Sequence, residues 1–218
     1  MNVGDMYTVG GKLEVESLSV VCAQLAPMSA QNMDDVDKNV DQILDYMDKA
    51  SGGFPGYDLF VSSECALQGF HPAKWTEVLV DLDGPEIQRL RDKCKELEVW
   101  GVFNPLVRQK DGRAPANTAI IVNDKGEIVH EYVKMNPWIP GEPTYPGSKC
   151  PVVPGPKGSK LATIICFDGD FPEAWREAAS NGANVIIRVS HYMGPIEFGW
   201  RLGNLAGAYF NRCYVVAC

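Results

Sequence analysis

Residues 161–173 read LATIICFDGDFPE, an apolar run that ends at Cys166 and is followed by a tight turn and the start of a helix. The apolar part has the length and composition of a buried strand, and Pro172 suits the first turn of a helix. This arrangement would hold the Cys166 thiol at the carboxyl end of a strand, beside backbone N–H groups and the positive end of a helix. A nucleophile would be activated in such a place.

Two other strand-like runs also end at a residue that can take part in catalysis. Glu64 follows the run from Asp58 to Ser63, and Lys134 follows the run from Ile128 to Val133. If these strands lie beside the strand that ends at Cys166, a carboxylate, an ammonium and a thiol meet at one edge of a sheet, where open α/β sheets place their sites. We therefore expect these three side chains to form one site.

Strand-like and helix-like segments alternate along the whole chain. Helices are expected from Asn32 or Asp34 to Gly53, from Pro85 to Leu97, from Pro172 to Ser180 and from about Ile196 to Asn211. Strands are expected over residues 18–24, 58–63, 99–107, 118–122, 128–134, 161–165, 185–190 and 213–217, with a proline-rich loop over residues 136–147. This alternation predicts a layered α/β fold.

The composition is that of an ordinary globular protein. The chain has 218 residues, of which 45% are hydrophobic and 22% charged, which is enough for one domain with a core. A net charge of −8 argues against nucleic acid and anionic membranes as partners, so we expect a small-molecule partner. Residues 1–6 lack the pattern of a secretory signal and no apolar stretch has the length of a membrane span, which together predict a cytoplasmic location.

The cysteines and histidines do not form a metal-binding pattern. The seven cysteines are widely spaced and include no Cys-x-x-Cys pair, and the three histidines are scattered along the chain. We therefore expect reduced thiols and no metal site.

The three reactive residues supply the parts needed to attack a carbonyl group. An unperturbed thiol has a pKa of about 8.5 and is mostly protonated at neutral pH, so Cys166 needs a neighbouring base. Glu64 can take its proton, while Lys134 and the backbone N–H of Phe167 can stabilise the negative oxygen of a tetrahedral intermediate. From spacing alone the alternative stays open that Cys166 is a core thiol and that Glu64 and Lys134 form a structural ion pair.

Three separated segments carry a resemblance to a known family. They read SECALQG at residues 63–69, YVKMNPWIPGEP at residues 132–143 and ICFDGDFPE at residues 165–173. These segments resemble the nitrilase superfamily of carbon-nitrogen hydrolases, and within it the aliphatic amidases and formamidases. The resemblance implies a two-sheet αββα sandwich, one carbon-nitrogen hydrolase domain over residues 1–218, and homo-oligomers. Because relatives continue past the position of Cys218, it also implies that the domain is C-terminally incomplete.

The resemblance implies roles for four catalytic residues. Glu64 corresponds to a general base, Lys134 to a transition-state stabiliser and Cys166 to a nucleophile. Glu142 corresponds to a second carboxylate that positions the amide.

Four further residues are expected to bind substrate. Trp138 and Tyr192 match positions that wall a small acyl pocket in these amidases, and Asp168 matches a carboxylate beside the nucleophile. Phe167 follows the nucleophile directly and supplies a backbone N–H.

The implied reaction is hydrolysis of a short aliphatic amide without a cofactor, through a thioester on Cys166. Formamide is the first candidate substrate, and acetamide or propionamide the next. Two alternatives remain open: the same residues act on another carbon-nitrogen substrate, such as a nitrile or a carbamoyl amine, or the chain is an inactive homologue with an interaction or redox-responsive role. The second alternative arises because Cys65, Phe167, Asp170 and His191 depart from the amidase pattern.

Overall fold

The computed structural model describes residues 17–218, which form two β-sheets packed face to face. The first sheet contains β1 (Val20–Ala23), β2 (Leu59–Ser62), β3 (Trp100–Phe103), β4 (Leu106–Val107), β5 (Ala116–Val122) and β6 (Ile128–Val133). The second contains β7 (Val153–Pro154), β8 (Lys160–Ile165), β9 (Val185–Val189) and β10 (Tyr214–Ala217). The prediction made for residues 1–6 lies outside the described residues.

Four helices cover the outer faces of the sheets: α1 (Met33–Gly53), α2 (Pro85–Leu97), α3 (Pro172–Ser180) and α4 (Glu197–Asn211). The α1 helix begins where the sequence predicts, because the Asn32 side chain caps it by accepting a hydrogen bond of 3.1 Å from the Asp35 N–H. No helix within residues 17–218 is long and apolar enough to cross a membrane.

The hydrophobic cores explain why the layers stack in this order. In β2, Phe60 faces α1 and α2 on one side of the first sheet, whereas Leu59 and Val61 face the second sheet. This alternation follows from the two-residue period of a strand. The second sheet is covered on its other face by α3, whose Trp175 is 2% exposed. The αββα sandwich predicted from the resemblance is therefore the observed fold.

The strand predicted over residues 99–107 is interrupted. Its two parts, β3 and β4, both pair with β5 in one continuous antiparallel register, so they form a single strand with a break at Asn104 and Pro105. Proline has no N–H to donate to a ladder. The Asn104 side chain turns inward at this break and accepts a hydrogen bond from the Cys65 backbone N–H.

The expectation that the three reactive residues share one edge of one sheet is wrong. Glu64 follows β2 and Lys134 follows β6, and these strands lie in the first sheet with β3 and β5 between them. Cys166 follows β8 in the second sheet. The three side chains meet because the two sheets face each other.

Candidate active site

Lys134 lies at the centre of a buried ion cluster. Its Nζ is 2.9 Å from Glu64 Oε1 and 2.6 Å from Glu142 Oε1. The Lys134 and Glu64 side chains are fully buried and that of Glu142 is 1% exposed. Glu142 comes from the proline-rich loop, where its other oxygen accepts a hydrogen bond of 3.0 Å from the Trp138 N–H. The cluster thus ties the loop to the ends of β2 and β6.

The Glu64 carboxylate is held at both oxygens. Oε1 accepts a second hydrogen bond from Asn117 Nδ2 at 2.9 Å, and Oε2 accepts one from the His191 backbone N–H at 2.8 Å. The Cys166 thiol lies close enough to this carboxylate for its negative charge to raise the pKa of the thiol. The structure therefore brings Glu64, Lys134, Glu142 and Cys166 into one site.

Cys166 begins a single 3-10 turn that spans Cys166–Asp170, between β8 and α3. Its φ of 45° lies in the left-handed region, which costs an L residue other than glycine free energy and is common where a site orients a side chain. The thiol is partly exposed, unlike the ion cluster below it. The turn thus holds Cys166 at a position that is less buried than the ion cluster.

Asp168 stabilises this turn because its carboxylate accepts four hydrogen bonds. Its carboxylate accepts hydrogen bonds from the Tyr132 hydroxyl at 2.7 Å and from the Ile165 N–H at 3.0 Å. It also accepts two from Asn136, at 2.8 Å from the backbone and 3.0 Å from the side chain. Asp168 is fully buried, so in this structure it links β6, the loop and the turn. Its role as a substrate ligand remains a prediction.

The surroundings of the cluster determine its charges. Burial opposes a positive charge on Lys134, but Glu64, Cys166 and Glu142 outweigh this effect and raise the pKa of the ammonium above its ordinary value. Burial and then the Glu64 carboxylate raise the pKa of the Cys166 thiol to about 12, against the opposing influence of Lys134. Cys166 is therefore a thiol at neutral pH, so any attack by its sulfur requires a base that takes the proton.

The other three expected substrate-binding residues each contact a neighbouring residue. Trp138 is 36% exposed and its backbone holds Glu142. The Phe167 ring packs edge-on against Phe171 at 5.1 Å. The Tyr192 hydroxyl is 3.2 Å from Asp170, and its ring lies 5.0 Å from that of Trp200.

Sequence reasoning missed Arg188, which lies in β9 and is fully buried. Its guanidinium donates to the Cys166 carbonyl oxygen from Nε at 2.9 Å, to Asp170 at 2.9 Å and to Asn204 at 3.2 Å. The signal was present in the sequence, because an arginine inside the apolar run Val185–Val189 must find buried acceptors. It also missed Asn117, whose amide contacts Glu64.

Metal-binding groups are absent from the part of the chain that the structure describes. No cluster of three or more His, Cys, Asp or Glu side chains has a geometry that would hold an ion there.

The chain is similar in sequence to known proteins. The sequence profile of the family described as carbon-nitrogen hydrolase matches residues 20–218. A formamidase from Bacillus cereus (strain AH820) is 45% identical over 186 residues, which is 84% of this chain and 56% of that protein. The chain thus spans little more than half the length of such relatives.

Solved structures show the same fold at lower sequence identity. Nit3 of Saccharomyces cerevisiae, a member of branch 10 of the nitrilase superfamily, superposes with a TM-score of 0.79 at 23% identity, over 89% of this chain and 73% of that one. An amidase from Nesterenkonia sp. superposes with a TM-score of 0.78 at 24% identity, over 94% of this chain and 79% of that one.

Proposed function

The chain belongs to the carbon-nitrogen hydrolase family, and on that premise we propose that it contributes the catalytic site of an amidase that hydrolyses short aliphatic amides, with formamide first. The observation that carries this proposal is the buried 2.9 Å ion pair between Glu64 and Lys134 beside the Cys166 thiol, whose pKa the carboxylate raises and the ammonium lowers. The 45% identity to a formamidase supports the substrate class. Acetamide and propionamide are the next candidates.

In the first half of the proposed reaction, Cys166 Sγ forms a bond to the amide carbonyl carbon as its proton passes to Glu64. Lys134 uses two N–H groups on Glu64 and Glu142, and we assign the third to the developing oxyanion, with the Phe167 backbone N–H. The C–N bond then breaks, and the proton on Glu64 moves to the leaving nitrogen. The products of this half are ammonia and a thioester on Cys166.

In the second half, Glu64 takes a proton from water, and the oxygen of that water attacks the thioester carbonyl. The C–S bond breaks and the proton returns to the sulfur. One amide and one water thus give one carboxylic acid and one ammonia, with the protein restored. Glu142 would position the amide NH₂ through its remaining acceptor capacity, and Trp138 would limit the acyl volume.

A substrate panel tests this proposal against the other reactions of such sites. We would measure ammonia release from formamide, acetamide, propionamide, a short aliphatic nitrile and an N-carbamoyl amino acid, using the same preparation. The proposal expects the highest kcat/KM for formamide and a decline with acyl length. Turnover confined to the nitrile or to the carbamoyl compound would replace the proposed substrate, and turnover of none would reject an active amidase.

We also propose a single domain, a cytoplasmic location and a homo-oligomer. The free thiols of all seven cysteines favour a reducing compartment.

The α4 helix supports self-association, because it exposes an apolar stripe of Phe198, Leu202, Leu205 and Tyr209, each between 54% and 79% exposed. Light scattering of the unaltered protein and of Leu202→Glu would show an oligomer that the substitution weakens. A monomer in both would reject self-association through α4.

A further inference from the structure

Two buried asparagines connect the backbone beside Glu64 to the Glu64 carboxylate. The Cys65 N–H donates to Asn104 Oδ1 at 2.8 Å, Asn104 Nδ2 donates to Asn117 Oδ1 at 2.9 Å, and Asn117 Nδ2 donates to Glu64 Oε1 at 2.9 Å. Both asparagines are fully buried. The chain of hydrogen bonds starts at the residue after Glu64 and returns to Glu64, which closes a ring.

We call this chain of hydrogen bonds through Asn104 and Asn117 the relay. Its two ends, the Cys65 N–H and the Glu64 carboxylate, fix the direction in which each group donates. A backbone N–H can only donate, so Asn104 must turn its oxygen to Cys65 and its NH₂ to Asn117. An ionised carboxylate can only accept, so Asn117 must turn its NH₂ to Glu64. Both ends require the same orientation of both amides, and the network has no second arrangement that satisfies all of its groups.

Asn117 also connects the base to the ammonium. Its backbone carbonyl accepts a hydrogen bond of 2.9 Å from the Lys134 backbone N–H, and its side chain donates to Glu64. One residue of β5 therefore sets the position of Lys134 along β6 and the orientation of the carboxylate that Lys134 pairs with. The break between β3 and β4 makes this possible, because it frees the Asn104 side chain to turn inward.

We propose that Asn117, oriented by Asn104, is a positioning residue that selects the oxygen of Glu64 that takes the Cys166 proton. This inference deepens the proposed function and rests on it. Oε1 accepts from both Asn117 and Lys134, which fills its two lone pairs. Oε2 accepts only the His191 N–H among the named donors, so it keeps a lone pair for the thiol proton.

Two isosteric variants test the direction of the relay. In Asn117→Asp, the introduced carboxyl donates to Glu64 only while it is protonated. In Asn104→Asp, an ionised carboxylate accepts from Cys65 and also presents an acceptor to Asn117, whose amide then flips and turns its oxygen toward Glu64. Both variants should retain kcat at low pH and lose it about tenfold as the introduced group ionises, at pH values where the unaltered protein shows a constant kcat.

This loss of kcat with rising pH is a new alkaline limb in the pH profile, and it distinguishes a positioning role from a purely structural one. A role in folding alone would lower kcat by the same factor at every pH, or would leave it unchanged. Asn184→Asp is the control, since Asn184 is exposed and its Oδ1 accepts the Lys160 backbone N–H, a hydrogen bond that an aspartate would also accept. Its pH profile should match that of the unaltered protein.

Alkylation of Cys166 by iodoacetamide separates this inference from the proposed reaction. Its rate depends on proton transfer to Glu64 whether or not an amide is hydrolysed, and it should show the same alkaline limb in both variants. If the unaltered protein hydrolyses no amide, the proposed function fails while the alkylation profiles still decide on the relay. Alkylation and turnover profiles in Asn104→Asp that match the unaltered protein would overturn it.

Discussion

Arg188 Nε donates a hydrogen bond of 2.9 Å to the carbonyl oxygen of Cys166, and Nη2 of the same guanidinium donates a second at 2.5 Å. A residue of β9 thus holds the backbone of Cys166, which directly follows the neighbouring strand β8. The two bonds stabilise a cysteine whose φ of 45° is unfavourable for its type. The position of the sulfur therefore depends on a side chain outside the ion cluster.

Replacing this guanidinium tests that dependence. Arg188→Lys keeps the charge but loses the planar pair of donors to the Cys166 carbonyl. We expect kcat on formamide to fall about 100-fold, because small displacements of a nucleophile have effects of that size. Arg176→Lys is the control, since Arg176 is exposed and donates only to the Phe210 carbonyl on the protein surface. Full activity in Arg188→Lys would show that the two hydrogen bonds from Arg188 to the Cys166 carbonyl do not position the sulfur.

Gly169 allows the guanidinium to approach the turn. A Cβ at this position would lie 2.2 Å from Arg188 Cζ. We expect Gly169→Ala to lower the free energy of unfolding by about 1–3 kcal/mol, as overpacking does, and to reduce kcat at the same time. In Gly52→Ala the new methyl group meets nothing within 4 Å, so stability should stay within about 1 kcal/mol of the unaltered protein. Chemical denaturation of both variants measures the difference, and equal stability would contradict the contact.

Removing the Lys134 ammonium leaves the carboxylates of Glu64 and Glu142 buried without their shared cation. We expect Lys134→Met to lower the free energy of unfolding by about 3–5 kcal/mol at pH 7, the usual cost of breaking a buried ion pair. Lys93→Met removes two ion pairs, whose partners Asp48 and Glu96 are 53% and 62% exposed, and should cost at most about 1 kcal/mol. Urea unfolding of the two variants supplies the comparison. A small effect in both would indicate that the Glu64 and Glu142 carboxylates are not charged in the folded protein.

The buried thiols predict loss of stability in alkali. Burial raises the pKa values of Cys94, Cys150 and Cys166 to about 12, so the folded protein keeps protons that the unfolded chain releases above about pH 8.5. Their contribution is fully present below that pH and is lost as pH rises toward 12. Each thiol should lower the free energy of unfolding by up to about 1.4 kcal/mol per pH unit in this window.

Cys94→Ala isolates one of these thiols. The substitution creates a small cavity that lowers stability at every pH, so the informative quantity is the slope of stability against pH between pH 9 and 10. That slope should be shallower than in the unaltered protein by the contribution of one thiol, which is up to about 1.4 kcal/mol per pH unit. An unchanged slope would show that Cys94 does not hold its proton in the folded state.

Much of the fold was accessible from the sequence because its signals are local. The Asn32 cap, the proline at the start of α3 and the apolar run before Cys166 each depend on a few neighbouring residues. The resemblance predicted the two-sheet sandwich, and the match of residues 20–218 to the family confirmed the recognition. The break at Pro105 also has a local signal, which is a proline within a strand pattern.

The remainder depended on contacts between distant residues. Asn117 reaches Glu64 across 53 positions of the chain, and Arg188 reaches Cys166 across 22. No local pattern encodes such pairs, which follow from sheet order and from the packing of one sheet on the other. The same limitation explains why the reactive residues were expected at one sheet edge. The structure places Cys166 on the opposite sheet from Glu64 and Lys134.

The central claim is that Cys166 is the nucleophile that releases ammonia from an amide. The most direct measurement compares ammonia release from formamide by the unaltered protein, by Cys166→Ala and by Cys94→Ala, with folding of each verified by circular dichroism. We predict release by the unaltered protein and by Cys94→Ala, and none above the uncatalysed background by Cys166→Ala. Equal release by Cys166→Ala and the unaltered protein would contradict the account.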